Sequence, residues 1–469
     1  FQAEDGIRDS VNGLVGSEMC IRDRYFSDGI SEELLNLLAK IPELRVISRS
    51  SAFSFKGKDI AIPTVAEQLN VDHILEGSVR KAGNRVRITA QLIEARSDTH
   101  LWSETYDRDL DDIFAIQDEI AEAVVVQLKV TLLSDAPKVQ DTDPEAYALF
   151  LQANHLLGIT TPESLQEAVA LFKEVLAIDP GYVPAWLQLG VTYDRLGSGR
   201  VLPLEEAQRL SFQAFERALD ISPSSARALN SLAWKLFRHR GDLVTAAHFY
   251  ERALSADPSD TDIIGNVSMF LSSLGRMEDS IKFGEYQVSR DPANAVAYNN
   301  LGMRYRFAGH LDKAEESFST ALRLSPALPG LNYELGVTQL LAEDYASAIR
   351  VFEDESIPIF KQVGMAMAFY DQGKSALSLE LINELISSYG EMIPYYIAHI
   401  FAYQGDLDDA FEWLETAKLA GASALSDEAH NEPLLANLHA DPRWLPFLES
   451  IGKAPAQLDA IEFNVTLPE

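Results

Sequence analysis

The stretch AVAYNNLGMRYRFAGHLDKAEESFSTALRLSP, residues 295–326, decides the fold of most of this 469-residue chain. Its apolar and small residues recur at helical spacing, which predicts two consecutive amphipathic helices. The small residues Gly302 and Ala314 allow those two helices to approach closely. The larger Tyr305 and Phe318 fill the space between their turns. The stretch therefore predicts a tightly packed helical hairpin.

The same pattern repeats at a fixed interval along the chain. Pro258, Pro292 and Pro326 follow one another at intervals of 34 residues. The unit that ends at Pro326 resembles the tetratricopeptide repeat (TPR), and the matching residues are Tyr298, Leu301, Gly302, Tyr305, Ala314, Phe318, Ala321 and Pro326. This resemblance implies an all-α superhelical solenoid, because one repeat cannot bury its apolar face alone whereas stacked repeats can.

Further units flank this one on both sides. The pattern recurs, with an insertion near 197–206, at Trp186, Leu189, Gly190, Tyr193, Phe215, Ala218 and Pro223. We predict about eight units over residues 140–449, because a solenoid needs several stacked repeats. EPLLANLHADPRWLPFLESIG, residues 432–452, resembles the closing segment of such arrays and is expected to form a C-terminal cap. Residues 450–469 are predicted to be a loose tail.

A different pattern precedes the repeats, at 25–134. Asp28 or Ser31 is expected to cap a first helix, and LRVISR at 44–49 is predicted as a short strand. A second helix should begin near Ile62. Two strands then flank the hairpin signal Gly83-Asn84, and a third strand and a last helix follow. The predicted order α-β-α-β-β-β-α corresponds to a small α+β domain, so the whole chain is expected to be multidomain.

Two quoted stretches carry a second family resemblance. YFSDGISEELLNLLAKIPELRVISRSSAFSFKGK (25–58) and VDHILEGSVRKAGNRVRITAQLIEARSDTHLWSETYDRDLDDIFAIQDEIA (71–121) resemble the TolB amino-terminal-like domain of bacterial multidomain proteins. That family pattern begins with an apolar strand that this chain lacks, so the resemblance implies a truncated domain. In the family this domain often follows a membrane helix, a winged-helix DNA-binding domain or a nucleotide-cyclase domain.

The first 24 residues have a different character. FQAEDGIRDSVNGLVGSEMCIRDR nearly repeats itself, with GIRDS at 6–10 and CIRDR at 20–24, and shows no helical or strand period. It resembles translated sequencing-adapter sequence. We interpret residues 1–24 as a non-native leader, and the alternative is a genuine disordered amino terminus.

Composition and motifs exclude several function classes. The formal net charge of −32 falls mostly after residue 134, and such a surface repels nucleic-acid phosphates and anionic lipid. Cys20, the single cysteine, lies in the leader. No phosphate-loop, Gly-x-Ser-x-Gly or His-Glu-x-x-His motif is found, and no apolar run is long enough to span a membrane. We therefore expect no catalytic residues, no bound cofactor, no metal site and no membrane span in this chain.

The remaining candidate residues line the groove of the repeats. In a TPR array the first helix of each pair supplies the concave surface, and its inward positions here are Arg195, Asn230, Trp234, Arg238, Asn299, Met303 and Arg306. Such side chains can hold the backbone or acidic groups of an extended peptide. We predict a site centred on Asn299 and Arg306, neither of which is assigned to the core. The alternative is that these residues stay solvated, or that Trp234 is part of the core.

Two functional hypotheses remain. The first is a non-enzymatic scaffold that binds a protein or peptide partner in its TPR groove, within a bacterial signalling or envelope protein. The second is the sensory half of a transcription regulator or nucleotide cyclase whose output domain precedes Tyr25. The compartment stays open between the cytoplasmic and the periplasmic side of the inner membrane, because intact members of the TolB-like family include membrane-anchored proteins.

Overall fold

A computed structural model describes most of the chain. The described residues are 17–39, 41, 44–56, 58, 60–82, 84–128, 140–422, 425 and 428–468. They form two compact units. The first comprises the described residues up to Leu232 together with Arg252–Asp260 and Arg290–Pro292. The second comprises Ala233–Glu251, Thr261–Ser289 and the described residues from Ala293 onward.

The first unit contains the sheet that the hairpin signal predicts. Its elements before residue 140 are α1 (Ser17–Ala39), α2 (Arg49–Phe53), α3 (Ile62–Leu69), β1 (His73–Ala82), β2 (Arg85–Glu94), β3 (Thr99–Asp109) and α4 (Ile113–Gln127). The strands form an antiparallel sheet in the order β1-β2-β3, and Ala82 pairs with Arg85 across the turn. The three predicted strands after residue 70 are confirmed.

Two details of this region correct the sequence prediction. The strand predicted at 44–49 is wrong, because residues 44–48 form no regular element and α2 begins at Arg49. Leu44 and Val46 instead pack against a hydrophobic cluster that includes the α1 residues Leu37 and Leu38. An apolar run of this length is compatible with a strand or with an irregular packed segment, and only tertiary contacts decide between them.

The first helix begins earlier than predicted. α1 starts at Ser17 and runs through Tyr25 without interruption, so residues 17–24 of the supposed leader share a helix with the next 15 residues. The expected cap at Asp28 or Ser31 is therefore wrong. Ser31 lies inside the helix, where its Oγ donates a hydrogen bond to the Ser27 carbonyl oxygen. Residues 1–16 lie outside the described part, and the non-native origin of the leader stays a prediction.

One hydrophobic core joins the sheet to the first helical repeats. Val86 and Ile88 on β2 are fully buried in the same cluster as Ile30 of α1 and Phe150 of the following helix. Gly29 makes the approach possible, because a Cβ there would stand 2.4 Å from the Leu151 side chain. The core therefore continues through the boundary predicted between 134 and 140.

Sixteen helices occupy residues 144–419, a range that the structure describes throughout. They are α5 (Pro144–Ile159), α6 (Pro162–Ile178), α7 (Val183–Ser198), α8 (Leu204–Ile221), α9 (Ala226–Lys235), α10 (Leu243–Ala256), α11 (Thr261–Ser273), α12 (Met277–Arg290), α13 (Ala295–Phe307), α14 (Leu311–Leu324), α15 (Leu331–Leu341), α16 (Tyr345–Glu353), α17 (Pro358–Asp371), α18 (Ser375–Tyr389), α19 (Pro394–Gln404) and α20 (Leu407–Leu419). In sequence order they make eight successive helix–turn–helix pairs.

A glycine and a phenylalanine interlock within several of these pairs. A Cβ at Gly302 on α13 would stand 2.8 Å from the ring of Phe318 on α14. The same contact recurs at 2.4 Å between Gly336 and Phe352. Both rings are fully buried. The absence of a side chain on the first helix thus creates the space that the aromatic ring of the second helix fills.

The turns inside the pairs follow the same period. Backbone φ is positive at four positions spaced by 34 residues, namely Gly241, Gly275, Gly309 and Glu343. After α15, Asp344 N donates to Gln339 O and Glu343 N to Leu340 O, which is a Schellman motif with a left-handed residue at its end. Glu343 is therefore the one non-glycine among the four, and it carries the steric cost of that conformation.

Replacement of Glu343 by glycine is expected to stabilise the chain. The left-handed conformation costs a residue with a Cβ about 1–2 kcal/mol, partly offset by the greater freedom of glycine in the unfolded state. We expect Glu343→Gly to raise the free energy of unfolding by about 0.5–1 kcal/mol in urea titrations. Gly309→Ala, at the same repeat position, should lower the free energy of unfolding because φ is positive there. Steric contact is not the cause, since a Cβ at Gly309 meets no atom within 4 Å. An unchanged or lower stability of Glu343→Gly would contradict this reading of the turn.

The array ends in a compact closing segment. A 3-10 helix at Pro433–Leu438 is followed by two short helices, Trp444–Ser450 and Pro455–Asp459. Leu434, Leu435 and Phe447 are buried in one cluster with residues of α17 to α20. The segment therefore packs against the last helices of the array, and its role as a cap stays a prediction.

Candidate peptide-binding groove

The seven predicted groove residues all lie on the first helix of a pair or on its direct extension. Arg195 lies on α7 and Asn230 on α9, both in the first unit. The other five belong to the second unit, and these are Trp234, Arg238, Asn299, Met303 and Arg306. The structure thus divides the candidates between two units, and each set is described by itself.

Arg195 is engaged within its own unit. Its Nη1 donates a hydrogen bond of 2.6 Å to the carbonyl oxygen of Leu157 on α5. Burial, and then the nearby charge of Arg49, lower the pKa of Arg195. Asn230 is half-buried. The guanidinium of Arg195 therefore has a structural hydrogen bond between two repeats of the first unit.

An extra residue distorts the helix that carries Trp234. Pro223 and Pro258 are 35 residues apart, one more than the repeat period, and α9 continues as a π-helix over Leu236–Arg240. A π-helical turn accommodates one inserted residue and often marks a functional site. Trp234 is half-buried, and its ring meets Phe237 edge-on at 6.1 Å. The Arg238 guanidinium lies 5.3 Å from the Trp234 ring centroid, a cation–π distance.

Arg306 is not the exposed groove residue that the sequence predicts. Only 3% of its side chain is exposed. Its Nη1 lies 2.7 Å from Glu334 Oε2, and its Nη2 lies 3.3 Å from Oε2 of Glu432 in the closing segment. Burial opposes the charge of Arg306, but the two carboxylates outweigh it and raise its pKa. The prediction missed this because Glu432 is distant in the sequence.

Aromatic side chains surround this buried ion cluster. Tyr333 is fully buried, and His399 lies 4.2 Å from the Tyr395 ring and 5.8 Å from that of Tyr396. Burial, and then the charge of Arg306, lower the pKa of His399 to about 3. Neither ring nitrogen of His399 has a hydrogen-bond partner among the described residues. The cluster is thus a low-dielectric interior in which Arg306 supplies the positive charge.

The other residues of α13 have mixed environments. Met303 packs against the core of its own repeat, next to Leu301 and Tyr305. Asn299 is half-buried, and its Oδ1 has no hydrogen-bond partner among the described residues. Arg304, which the sequence reasoning did not select, is 97% buried, and burial lowers its pKa to about 10. Of the predicted centre, Asn299 Oδ1 and Arg306 Nε are both buried without a hydrogen-bond partner among the described residues.

The predicted loose tail is instead packed in the second unit. Ile461 and Phe463 are 7% and 2% exposed. Arg276, in the turn between α11 and α12, donates from Nη2 to the Ile461 carbonyl oxygen at 2.7 Å and from Nη1 to that of Phe463 at 2.5 Å. The prediction was wrong because polarity along the tail says nothing about a distant arginine that binds its backbone.

Further contacts extend along the same segment. The backbone N–H of Asn464 donates to Glu251 Oε1 on α10 at 2.8 Å. The Phe463 ring meets Phe270 of α11 edge-on at 5.0 Å, and Phe270 in turn lies 5.4 Å from Phe237. The residues that hold this segment, and that sequence reasoning missed, are therefore Glu251, Phe270 and Arg276.

The carboxyl end of α11 is also covered by the closing segment. Asn431 Nδ2 donates to the Ser272 carbonyl oxygen at 2.7 Å, and Lys453 Nζ donates to that of Ser273 at 3.1 Å. These carbonyl groups have no partner within the helix, and a positive charge at a helix carboxyl terminus is favourable. The two contacts hold the closing segment next to the tail.

No three His, Cys, Asp or Glu side chains in the described ranges come close enough to share a metal ion. Within the same residues, none of the helices combines the length and the apolarity needed to cross a membrane.

Comparisons with known proteins identify the repeats. Two family models described as tetratricopeptide repeat match residues 295–328 and 212–261. The chain therefore contains TPR repeats, and proteins of this kind are typically interaction scaffolds without catalytic activity.

Relatives extend the comparison to whole proteins. The chain is 42% identical over 171 residues to "Putative adenylate cyclase 3" of Rhizobium meliloti (strain 1021), covering 36% of this chain and 29% of that protein. It is 25% identical over 184 residues to the "General transcriptional corepressor ssn6" of Schizosaccharomyces pombe, covering 39% and 15%. The chain thus spans less than a third of either relative. A solved structure of Pseudomonas aeruginosa pilF is 20% identical with a TM-score of 0.37, over 45% of this chain and 93% of that one.

Removal of the Arg306 side chain is expected to destabilise the second unit. Arg306→Ala leaves the buried carboxylates of Glu334 and Glu432 without their cation, which costs about 3–5 kcal/mol. Arg350→Ala serves as the control, because Arg350 is exposed and bonds only to Ser347 of its own helix among the contacts described. Urea unfolding followed by circular dichroism measures both variants. Equal stability of the two would show that Arg306 is not a structural residue.

Proposed function

We propose that this chain is a non-enzymatic scaffold that binds a polypeptide partner in the groove of its TPR helices, as part of a bacterial signalling or envelope protein. The observation that supports it most directly is that the second unit already holds an extended segment of polypeptide. Arg276 and Glu251 bind backbone atoms of that segment, and Phe270 contacts a side chain. Side chains that bind backbone atoms suit extended peptides in general.

The seven predicted groove residues contribute unequally to this proposal. Trp234 and Arg238 offer an aromatic surface with an adjacent cation, the residue types enriched at binding hot spots. Asn299 offers a buried amide oxygen without a partner, which an incoming backbone N–H satisfies. Arg306 acts indirectly, because it holds the closing segment in place through Glu432. We assign the partner contacts to Trp234, Arg238 and Asn299, with Met303 beside them and Arg195 and Asn230 outside this site.

The negative charge of the chain makes some classes of partner molecule less favourable than others. A net charge of −32 disfavours nucleic acid and anionic lipid. Arg238 provides positive charge at the π-helical turn. We therefore expect a protein or peptide partner, with no role for a cofactor.

A second candidate function is favoured by one comparison. The identity of 42% over 171 residues to a protein named as an adenylate cyclase supports a regulatory role beside a nucleotide-cyclase domain. In that case the TolB-like module and the repeats form the sensory half, and catalysis belongs to another part of the protein. A purified chain that formed cyclic AMP from ATP would contradict both candidates.

A photo-crosslinking amino acid placed in the groove tests the scaffold function. At position 234 it is expected to form a covalent adduct with one polypeptide partner, identified by mass spectrometry of cells that express the chain. The matched control is position 244 on α10, where Val244 is 67% exposed. Arg238→Ala should weaken capture by about 1–3 kcal/mol, as expected of an interface anchor. Equal adducts from positions 234 and 244, or none from 234, would rule out a partner in this groove.

A further inference from the structure

We infer that residues 460–468 are a tethered mimic of the partner, and that the site formed by Glu251, Phe270 and Arg276 in the second unit selects an extended peptide with an apolar residue followed, two positions later, by an aromatic one. This inference rests on the proposed function and names its ligand class. An external peptide of this kind has to displace the chain's own segment before it binds.

The segment has the form of a bound strand. Residues 461–468 lie in no helix or strand. Burial alternates along it, because Ile461 and Phe463 are buried whereas Glu462 and Asn464 are exposed. A period of two is the signature of an extended chain with one face against a surface. The sequence Ile-Glu-Phe-Asn thus buries its apolar side chains against the second unit and exposes its polar ones to water.

Backbone recognition sets the register of the segment. The guanidinium of Arg276 spans the carbonyl oxygens of Ile461 and Phe463, two residues apart, and Glu251 accepts the next backbone N–H, that of Asn464. Every peptide has these backbone groups, so the contacts fix position without reading sequence. The planar guanidinium suits this role because its N–H groups are held in a fixed fork.

An aromatic pocket supplies the selectivity. The Phe463 ring lies perpendicular to Phe270, with an interplanar angle of 89°. The Phe270 ring packs against the rings of Phe237 and Tyr250, with centroid distances of 5.4 Å and 5.2 Å. Edge-to-face packing of this kind adds to the apolar area that the ring buries. The pocket therefore favours an aromatic residue at the position of Phe463.

The two repeats that build this site depart from the pattern of the others. Asp242 and Asp344, one and two periods from Arg276, cap the next helix by accepting the backbone N–H of Thr245 and Ser347. Arg276 occupies the equivalent position and binds the segment, while His310, one period further on, also forms no side-chain cap. In the same repeat, Ser268 replaces the close-packed glycine and exchanges two hydrogen bonds with Ser280. Such local departures from an otherwise consistent pattern are expected at functional sites.

The tether determines which ligands gain access. Because the segment is part of the same chain as its binding site, it competes with an external peptide at an effective concentration of the order of millimolar. A weak external peptide therefore stays excluded, whereas a partner that binds through additional groove residues displaces the segment. The bound and displaced states of 460–468 are thereby coupled to partner binding.

A synthetic peptide with the sequence of residues 458–468, labelled with fluorescein, tests the inference on the full chain by fluorescence anisotropy. Phe463→Ala weakens the binding of the chain's own segment 460–468 to its site. The labelled peptide is therefore expected to bind this variant at least about tenfold more tightly than the wild-type chain. Glu462→Ala is the matched control, because the neighbouring side chain is exposed, and it should behave as wild type. When Arg276→Ala is added to Phe463→Ala, the affinity of the peptide for the chain should fall again by about tenfold.

Two outcomes overturn the inference. One is equal affinity of the peptide for wild-type and Phe463→Ala chains that are both folded by circular dichroism. The other is a wild-type dimer that dissociates in Phe463→Ala, because the segment would then come from a second copy. If the alanine variant does not fold, Phe463→Leu keeps the apolar bulk but removes the ring contact, and it should increase peptide affinity by a smaller factor. Equal affinity of the peptide for the Phe463→Leu and wild-type chains also overturns the inference.

This experiment separates the inference from the proposed function. If the peptide fails to bind the folded Phe463→Ala chain while the adduct at position 234 persists, the mimic is wrong and the scaffold function stands. If the adduct also disappears, both are wrong. Competition of the peptide with the crosslinked partner supports both together.

Discussion

The close contact between a glycine on one helix and a phenylalanine on the next is the constraint on which the repeats depend. A Cβ at Gly190 would stand 2.6 Å from the Phe215 ring, and the equivalent contacts at Gly302 and Gly336 are as tight. Any side chain at these positions separates the pair or displaces the ring, so the two helices of a repeat are locked by shape. Because this contact holds the two helices together, the side chains on the other faces of the first helices can differ from repeat to repeat.

Departures from this contact are found in the two repeats α9–α10 and α11–α12, which bind residues 461–464. There the 34-residue period lengthens by one residue at the π-helix Leu236–Arg240, and Ser268 and Ser280 replace the glycine–aromatic contact with hydrogen bonds. Arg276 stands where the repeats of Asp242 and Asp344 have a capping aspartate and where that of His310 has no side-chain cap. The regular repeats are thus locked by shape, and the irregular ones supply the contacts to residues 461–464.

How far the sequence predicts this structure depends on the range of the interaction. Helix pairs, turns and the hairpin at Ala82–Arg85 follow from residues close in the chain, and their patterns identify them. The Arg306–Glu432 pair and the Arg276–Phe463 contact join residues 126 and 187 positions apart. No local pattern encodes such contacts, which is why the sequence predicts Arg306 in an open groove and residues 450–469 as a loose tail.

Backbone amide hydrogen exchange of the full chain tests most directly whether the second unit holds residues 461–464 as an extended peptide. The Asn464 amide is bonded to Glu251, and the neighbouring residues Ile461 and Phe463 are buried. The account predicts that peptides covering 461–464 exchange far more slowly than an unstructured chain, at a rate comparable with the ends of α11 and α12. Exchange of 461–464 at the rate of an unstructured peptide, with α11 and α12 protected, would contradict it.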